Sequence, residues 1–123
     1  MILVDTSVWV DHFRRTDRGL VAVLEAGQVL MHPFILGELA CADLPKRAVV
    51  LQSLSDLPAA PVASDEEALH YIDRNRLRGR GIGYVDAHLL ASVTLEGTAR
   101  LWTRDRWLAD VAADLNLSLM TND

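Results

Sequence analysis

The sequence predicts an α/β fold with a mainly parallel central sheet and helices on both of its faces. Short apolar segments typical of strands alternate with helical segments along the chain, which is the pattern of a parallel sheet with helical crossovers. The first predicted strand, residues 2–5, begins with three consecutive apolar residues, as expected for a strand buried on both faces. Half of the 123 residues are hydrophobic, which is enough for a core.

Each predicted element is bounded by residues that favour its start or its end. Strands are expected at residues 2–5, 28–31, 99–102 and 117–120, and helices at residues 7–15, 18–26, 33–43, 45–57, 64–79, 84–96 and 105–115. Thr6 or Ser7 can cap the first helix, and Gly27 lies where a glycine ends the second. Pro33 and Pro45 suit the first turns of the next two helices.

The second half of the chain carries two further boundary signals. Ser64 and Glu67 have the spacing of a capping box at the start of the fifth helix. Residues 79–83 contain three glycines, so we expect a flexible loop there before the helix at 84–96.

Composition limits the location and the partners of the protein. The net charge of −5 argues against non-specific binding of nucleic acid. No apolar run reaches the roughly 20 residues of a membrane span, and no signal-peptide pattern is visible. The single cysteine, Cys41, excludes an intramolecular disulfide and is expected to be buried, so a cytoplasmic location fits. We expect one domain over residues 1–123.

Four acidic residues from separate segments are predicted to meet at one edge of the sheet. Asp5 and Asp105 follow predicted strands, and ligands of open parallel sheets bind at the carboxyl ends of strands. Glu38 and Asp86 lie near the starts of helices that begin at the same edge, each among apolar neighbours.

Each acid also has a structural explanation. Asp5 and Asp105 could cap helices, Asp86 could favour a helix N-terminus, and Glu38 could point to water. Four ionised carboxylates in one place would repel one another, and a divalent cation would remove that repulsion. Oxygen ligands point to Mg²⁺ or Mn²⁺ rather than zinc. The four histidines are scattered, so surface or packing roles are expected for them.

The motifs around these acids together resemble those of PIN-domain ribonucleases, and more narrowly VapC toxins of toxin–antitoxin pairs. The matching stretches are MILVDTSVW, HPFILGELA, GIGYVDAHLLAS and LWTRD, and the likeness covers essentially the whole chain. The resemblance implies a three-layer α/β/α sandwich. It also implies that Asp5, Glu38, Asp86 and Asp105 are the catalytic, metal-binding residues, and that Thr6 and Thr103 support the first and last acids.

The resemblance further implies Mg²⁺- or Mn²⁺-dependent cleavage of cellular RNA, such as tRNA or rRNA, by activated water. The implied partners are a VapB-type antitoxin and a second copy of the chain. Arginines near the acids are candidate phosphate contacts that could offset the negative net charge: Arg74, Arg76, Arg78, Arg80 and Arg104. Trp9 and Trp102 are expected to pack in the core, whereas Trp107 and Tyr84 lie near Asp105 and Asp86.

Two other functions are compatible with parts of the sequence. A non-cleaving PIN-like module could bind RNA or protein without the chemistry. A Mg²⁺-dependent phosphatase could use Asp5 as its nucleophile, but the haloacid-dehalogenase pattern requires a second aspartate two residues later, where this chain has Ser7.

Overall fold

The computed structural model describes residues 1–119. The strands in this range are β1 (Ile2–Val4), β2 (Val29–Leu30) and β3 (Arg100–Trp102). The helices are α1 (Thr6–Arg14), α2 (Arg18–Glu25), α3 (Pro33–Ala40), α4 (Arg47–Ser55), α5 (Asp65–Arg74), α6 (Tyr84–Glu96) and α7 (Arg106–Asp114). None of these helices is long and apolar enough to cross a membrane.

The sheet is parallel and has β1 at its centre, as the alternation of strands and helices predicts. The strand order is β2-β1-β3, with Leu3 opposite Leu30 on one side and Leu101 on the other. Single parallel bridges widen it at both edges, from Met31 to Ala59 and from Leu101 to Ser118. The predicted strand at 117–120 therefore pairs with β3 through one bridge, and its last residue, Met120, lies outside the described residues.

Helices cover both faces of this sheet. All three residues of β1 are buried, and successive side chains of a strand point to opposite faces. In α6, residues 87–93 are all buried, so this helix runs through the interior instead of along the surface. Asp86 lies just before this buried segment and is carried on one of the most firmly packed parts of the chain.

The prediction that the fifth helix continues to about Gly79 is wrong, because α5 ends at Arg74. Arg76 has a φ of 55°, and the N–H groups of Arg76 and Leu77 donate to the carbonyls of Asp73 and Ile72. These two bonds form a Schellman motif, in which Leu77 turns back into the core. An arginine at the position that usually carries glycine hides this end from the sequence.

Two smaller expectations also need correction. The helix predicted from Pro45 begins at Arg47, after Lys46 in a left-handed conformation with a φ of 49°. Cys41 is exposed, because α3 ends at Ala40 and the chain turns away from the core there. By contrast, the capping box is confirmed, with reciprocal bonds of 3.0 and 2.8 Å between Ser64 and Glu67.

Candidate active site

Asp5 lies at the carboxyl end of the central strand and is 8% exposed. It occupies the cap position of α1 but makes no capping bond with its side chain. Instead its Oδ2 accepts hydrogen bonds from the hydroxyls of Ser7 and Thr103, both at 2.8 Å. The structure therefore does not use Asp5, Thr6 or Ser7 as a side-chain cap of α1.

Backbone amides fix the direction of both hydroxyl donors. The N–H of Arg104 donates to Ser7 Oγ at 3.0 Å, and the N–H of Asp105 donates to Thr103 Oγ1 at 3.0 Å. Each hydroxyl oxygen accepts a hydrogen bond from a backbone N–H, which leaves its own O–H free to donate to Asp5. The segment after β3 thus holds the carboxylate that follows β1.

Asp105 caps α7, as one of its structural explanations predicts. Its Oδ1 accepts from the N–H groups of Trp107 at 2.9 Å and Leu108 at 3.2 Å. The cap uses only one of the two carboxylate oxygens, and the side chain is exposed. A structural role and a ligand role are therefore compatible in this residue.

Glu38 lies on α3 and is exposed, and its Oε1 accepts a hydrogen bond of 2.5 Å from the Thr6 hydroxyl. The resemblance assigns Thr6 to the support of Asp5, but in the structure Thr6 supports Glu38. Ser7 takes the place beside Asp5 that sequence reasoning gave to Thr6. The only sequence signal for this role is a hydroxyl in the first helical turn after the acid.

Asp86 is half-buried, and its Oδ2 accepts the N–H of Gly83 at 3.1 Å. Burial raises the pKa of the Asp86 carboxyl above its usual value, and the Gly83 bond partly opposes this rise. The charges of Asp5, Asp105 and Glu38 raise the Asp86 pKa further. The other three predicted acids therefore lie near enough to Asp86 for their charges to affect its pKa.

Carboxylate oxygens are the ligands that a hard divalent cation prefers, but in the described part of the structure they are not arranged around a single ion position. Each acid uses one oxygen in the bonds described above, and within residues 1–119 the second oxygen of each accepts no hydrogen bond. In the same range, no three His, Cys, Asp or Glu side chains are placed closely enough to hold an ion together. Binding a cation would therefore require side-chain rotations that draw the free oxygens inward.

The histidines near the site have packing roles, as predicted. His32 is buried and caps α3, with Nδ1 accepting the N–H of Phe34 at 3.0 Å. Burial, and secondly the neighbouring His88, lowers the pKa of His32 to about 4, so the ring stays neutral near pH 7. His88 is also buried and has edge contacts with the rings of Phe34 and Tyr84. The capping role of His32 gives no signal in the sequence.

The predicted phosphate contacts divide into two groups. Arg104 forms ion pairs with Asp11 at 2.8 Å and Asp17 at 2.5 Å, and Arg80 forms one with Asp114 at 2.6 Å. These two guanidinium groups are already paired with carboxylates of the protein. In the described part of the chain the other three, Arg74, Arg76 and Arg78, are exposed without an ion pair. Arg78 lines the same small cleft as Gly83 and Tyr84 at the start of α6.

The family model named PIN domain matches residues 2–123 of this chain. The chain belongs to the PIN-domain family. The predicted resemblance and the three-layer α/β/α fold class are thereby confirmed. Ribonuclease VapC32 of Mycobacterium tuberculosis strain H37Rv is 47% identical to this PIN domain over 119 residues, which cover 97% of the chain and 96% of that protein. Ribonuclease VapC32 of strain CDC 1551 matches with the same identity and coverage.

Proposed function

We propose that this PIN domain is a metal-dependent endoribonuclease that acts in the cytoplasm as the toxin of a type II toxin–antitoxin pair. The observation that carries the proposal is the effect of three other carboxylates on the half-buried Asp86. Carboxylates from four segments that act on one another are costly to keep ionised unless a cation binds near them, which supports the proposal. The ribonuclease name of relatives that are 47% identical supports the same chemistry. The proposal treats residues 1–123 as one nuclease domain.

In this mechanism the four carboxylates would bind the cation, and hydroxyl groups orient two of these carboxylates through hydrogen bonds. When bound, Mg²⁺ or Mn²⁺ supplies Lewis acidity to a water nucleophile and to the phosphodiester. Asp5, Glu38, Asp86 and Asp105 would bind it through the oxygens that carry no hydrogen bond. Ser7 and Thr103 keep Asp5 in one orientation, and Thr6 does the same for Glu38.

If water attacks the phosphorus and the P–O3′ bond breaks, the 3′-oxygen leaves as a hydroxyl and the phosphate stays on the 5′-oxygen, without any part for the ribose 2′-hydroxyl. Glu38 is exposed and lies on a different element from the other acids, so we assign it to orienting the water or completing the ligand set. Arg78, beside the cleft at the start of α6, and its neighbours Arg74 and Arg76 would contact phosphates that flank the cut.

The proposed partners are an RNA such as tRNA or rRNA, a VapB-type antitoxin and a second copy of the chain. An open reading frame next to this gene that codes for a short DNA-binding protein would support the pairing. Expression of the toxin alone should arrest growth, and co-expression of the neighbour should relieve the arrest. Growth that continues without the neighbour would contradict the toxin role.

A non-cleaving binding module is the second candidate, because no three of the acids are close enough to share an ion within residues 1–119. The two functions are separated by incubating antitoxin-free protein with total RNA in Mg²⁺, Mn²⁺ or EDTA. Discrete fragments that disappear with EDTA and with Asp86→Asn support the nuclease. Asp110→Asn, which removes an exposed acid of α7, is the matched control and should cut like the wild type. Intact RNA under all conditions would favour the binding module.

A phosphatase is disfavoured by the contacts of Ser7. Its hydroxyl occupies the position that the second aspartate of that pattern would require, and it is bonded to Asp5. A phosphoenzyme trapped on Asp5 would overturn this conclusion.

A further inference from the structure

The indole of Trp107 is exposed and has no role in the metal chemistry described so far. Trp107 is 54% exposed, whereas Trp9 is 1% exposed and lies in the core. The Trp107 side chain is not part of the hydrophobic core cluster or of its half-buried periphery. A single exposed apolar side chain does not by itself mark a binding site, so the surroundings of this ring decide its role.

Trp107 is fixed beside the carboxylate cluster. It is the second residue of α7, and its backbone N–H donates to Asp105 Oδ1 at 2.9 Å. The backbone of Gly81 packs against the indole so closely that a Cβ there would lie 3.1 Å from Cδ2 of the ring. The ring is therefore held in place before any ligand arrives, which lowers the entropy cost of stacking against it.

Positive charge accompanies the ring. The Arg106 guanidinium lies 5.5 Å from the centroid of the Trp107 ring, within cation–π distance. A planar aromatic surface next to arginine is the combination with which proteins bind unpaired nucleotides, because every base offers a π-face and every nucleotide a phosphate.

The other exposed aromatic ring, that of Tyr84, is a weaker candidate for the same role. Tyr84 is 42% exposed, but its hydroxyl donates to Asp65 at 2.7 Å and its ring has an edge contact with His88. These contacts use the hydroxyl of Tyr84 as well as its ring, so Tyr84 is less available to a base than Trp107.

We propose that Trp107 stacks on an unpaired base of the RNA next to the scissile phosphate and so selects single-stranded or unfolded positions in the substrate. This inference rests on the proposed nuclease function, because it places the base relative to the acids. Recognition of RNA by stacking on splayed bases also explains how a domain of net charge −5 holds its substrate without a broad basic surface.

The test compares two fluorescent oligomers of equal length, oligoadenylate and a ribose-phosphate oligomer without bases, in EDTA so that neither is cut. We expect the wild type to bind oligoadenylate about tenfold more tightly than the abasic oligomer. Trp107→Leu, which keeps an apolar side chain against Gly81, should abolish this preference, and Trp107→Phe should keep most of it. Leu95→Ala, at an apolar side chain that is 52% exposed near the other end of α6, is the control and should bind like the wild type.

A preference for bases that survives Trp107→Leu would overturn the inference. If Trp107→Leu does not fold, photocrosslinking of the wild type to 5-bromouridine oligomers decides, since the expected adduct is on Trp107 and an adduct elsewhere alone contradicts it. Cleavage of total RNA by the wild type is measured in parallel. Cleavage without a Trp107-dependent preference would leave the nuclease standing and remove the stacking, whereas the preference without cleavage would do the reverse.

Discussion

The two sides of the carboxylate cluster are built in different ways. On the hydroxyl side, Asp5 accepts bonds from Ser7 and Thr103, and its geometry depends on β1 and the end of β3 being adjacent. On the glycine-loop side, Asp86 follows residues 79–83 and has one backbone partner, Gly83. The orientation of Asp5 depends on segments that are distant in sequence. The orientation of Asp86 depends on the neighbouring Gly83, and the charges of the other three acids raise the Asp86 pKa.

The glycine loop is nevertheless anchored to the rest of the molecule through α7. Gly81 packs on Trp107 near the start of α7, and Arg80 pairs with Asp114 at its end. The difference shows that the bonds that orient Asp5 and the charges that raise the Asp86 pKa act in separate parts of the site. Substitutions on the two sides should therefore have different effects on activity and stability.

The largest effect is expected for Asp86→Asn, which should lower the rate of RNA cleavage by more than about 100-fold. Removing a residue that only orients a metal ligand usually costs about 10- to 100-fold, and Asp86 is proposed as a ligand itself. The same change should raise the Tm of the metal-free protein at pH 7. The Asp86 pKa is raised on folding, so its stabilising contribution is complete below the unfolded pKa and is lost as the pH rises through the folded pKa. The Tm gain of Asp86→Asn should therefore vanish below about pH 4.

Cleavage rates and thermal unfolding in EDTA between pH 3 and pH 8 check this prediction. Mg²⁺ should also raise the Tm of the wild type more than that of Asp86→Asn, because ligands that bind only the folded state stabilise it. A lower Tm for the metal-free variant at pH 7 would show that Asp86 is structural.

On the hydroxyl side, Thr103→Val should reduce cleavage by about 10- to 100-fold, because Asp5 loses a donor that orients it. The substitution also leaves the Asp105 N–H and the buried Asp5 carboxylate short of a partner, so urea unfolding should show a loss of about 1–3 kcal/mol. Thr16→Val, at an exposed threonine, is the control. If Thr103→Val cuts RNA like the wild type, Ser7 alone orients Asp5 and the two-donor account is wrong.

On the glycine-loop side, Gly81→Ala and Gly79→Ala form a matched pair. Both glycines have positive φ angles, +84° and +74°, so alanine at either should cost about 1–2 kcal/mol of unfolding free energy. Only at Gly81 would the new Cβ also meet Trp107, whereas nothing lies within 4 Å at Gly79. Urea unfolding should therefore show a larger loss for Gly81→Ala, and equal losses would mean that the indole yields freely.

The smallest effect is expected for Arg80→Ala, which should cost less than about 1 kcal/mol because both partners of its ion pair are substantially exposed. Arg78→Ala serves as the comparison. It should leave the free energy of unfolding unchanged but weaken RNA binding, since Arg78 lines the cleft at the start of α6. Binding titrations at two salt concentrations check this. RNA affinity that falls more with Arg80→Ala than with Arg78→Ala would reverse the assignment.

The position of Asp5 at the end of β1 was predictable because it follows from backbone rules. A residue after a buried parallel strand, such as Asp5, must lie at the carboxyl edge, whatever its neighbours are. The capping box and the end of α2 at Gly27 were predictable for a similar reason, since a few adjacent residues satisfy the helix terminus.

The partners of side chains were not predictable, because they depend on which segments meet in three dimensions. Thr6 and Ser7 are adjacent hydroxyl residues, and only the position of α3 and of the segment after β3 decides that one bonds Glu38 and the other Asp5. The end of α5 at Arg74 was missed because a left-handed arginine terminates it in place of glycine. Arg104 could not be assigned to Asp11 and Asp17 before the packing of α1 and α2 was known.

Between the central strand and the first helix there is only one residue, Asp5, with no loop on either side. Val4 is completely buried, so the Asp5 carboxylate and the hydrophobic interior are joined by a single peptide bond. Any change that repacks the interior near β1 is therefore transmitted to the carboxylate without a flexible segment to absorb it. In such an architecture tolerance to mutation is narrow, and variants of the interior should lose catalytic competence well before they lose the ability to fold.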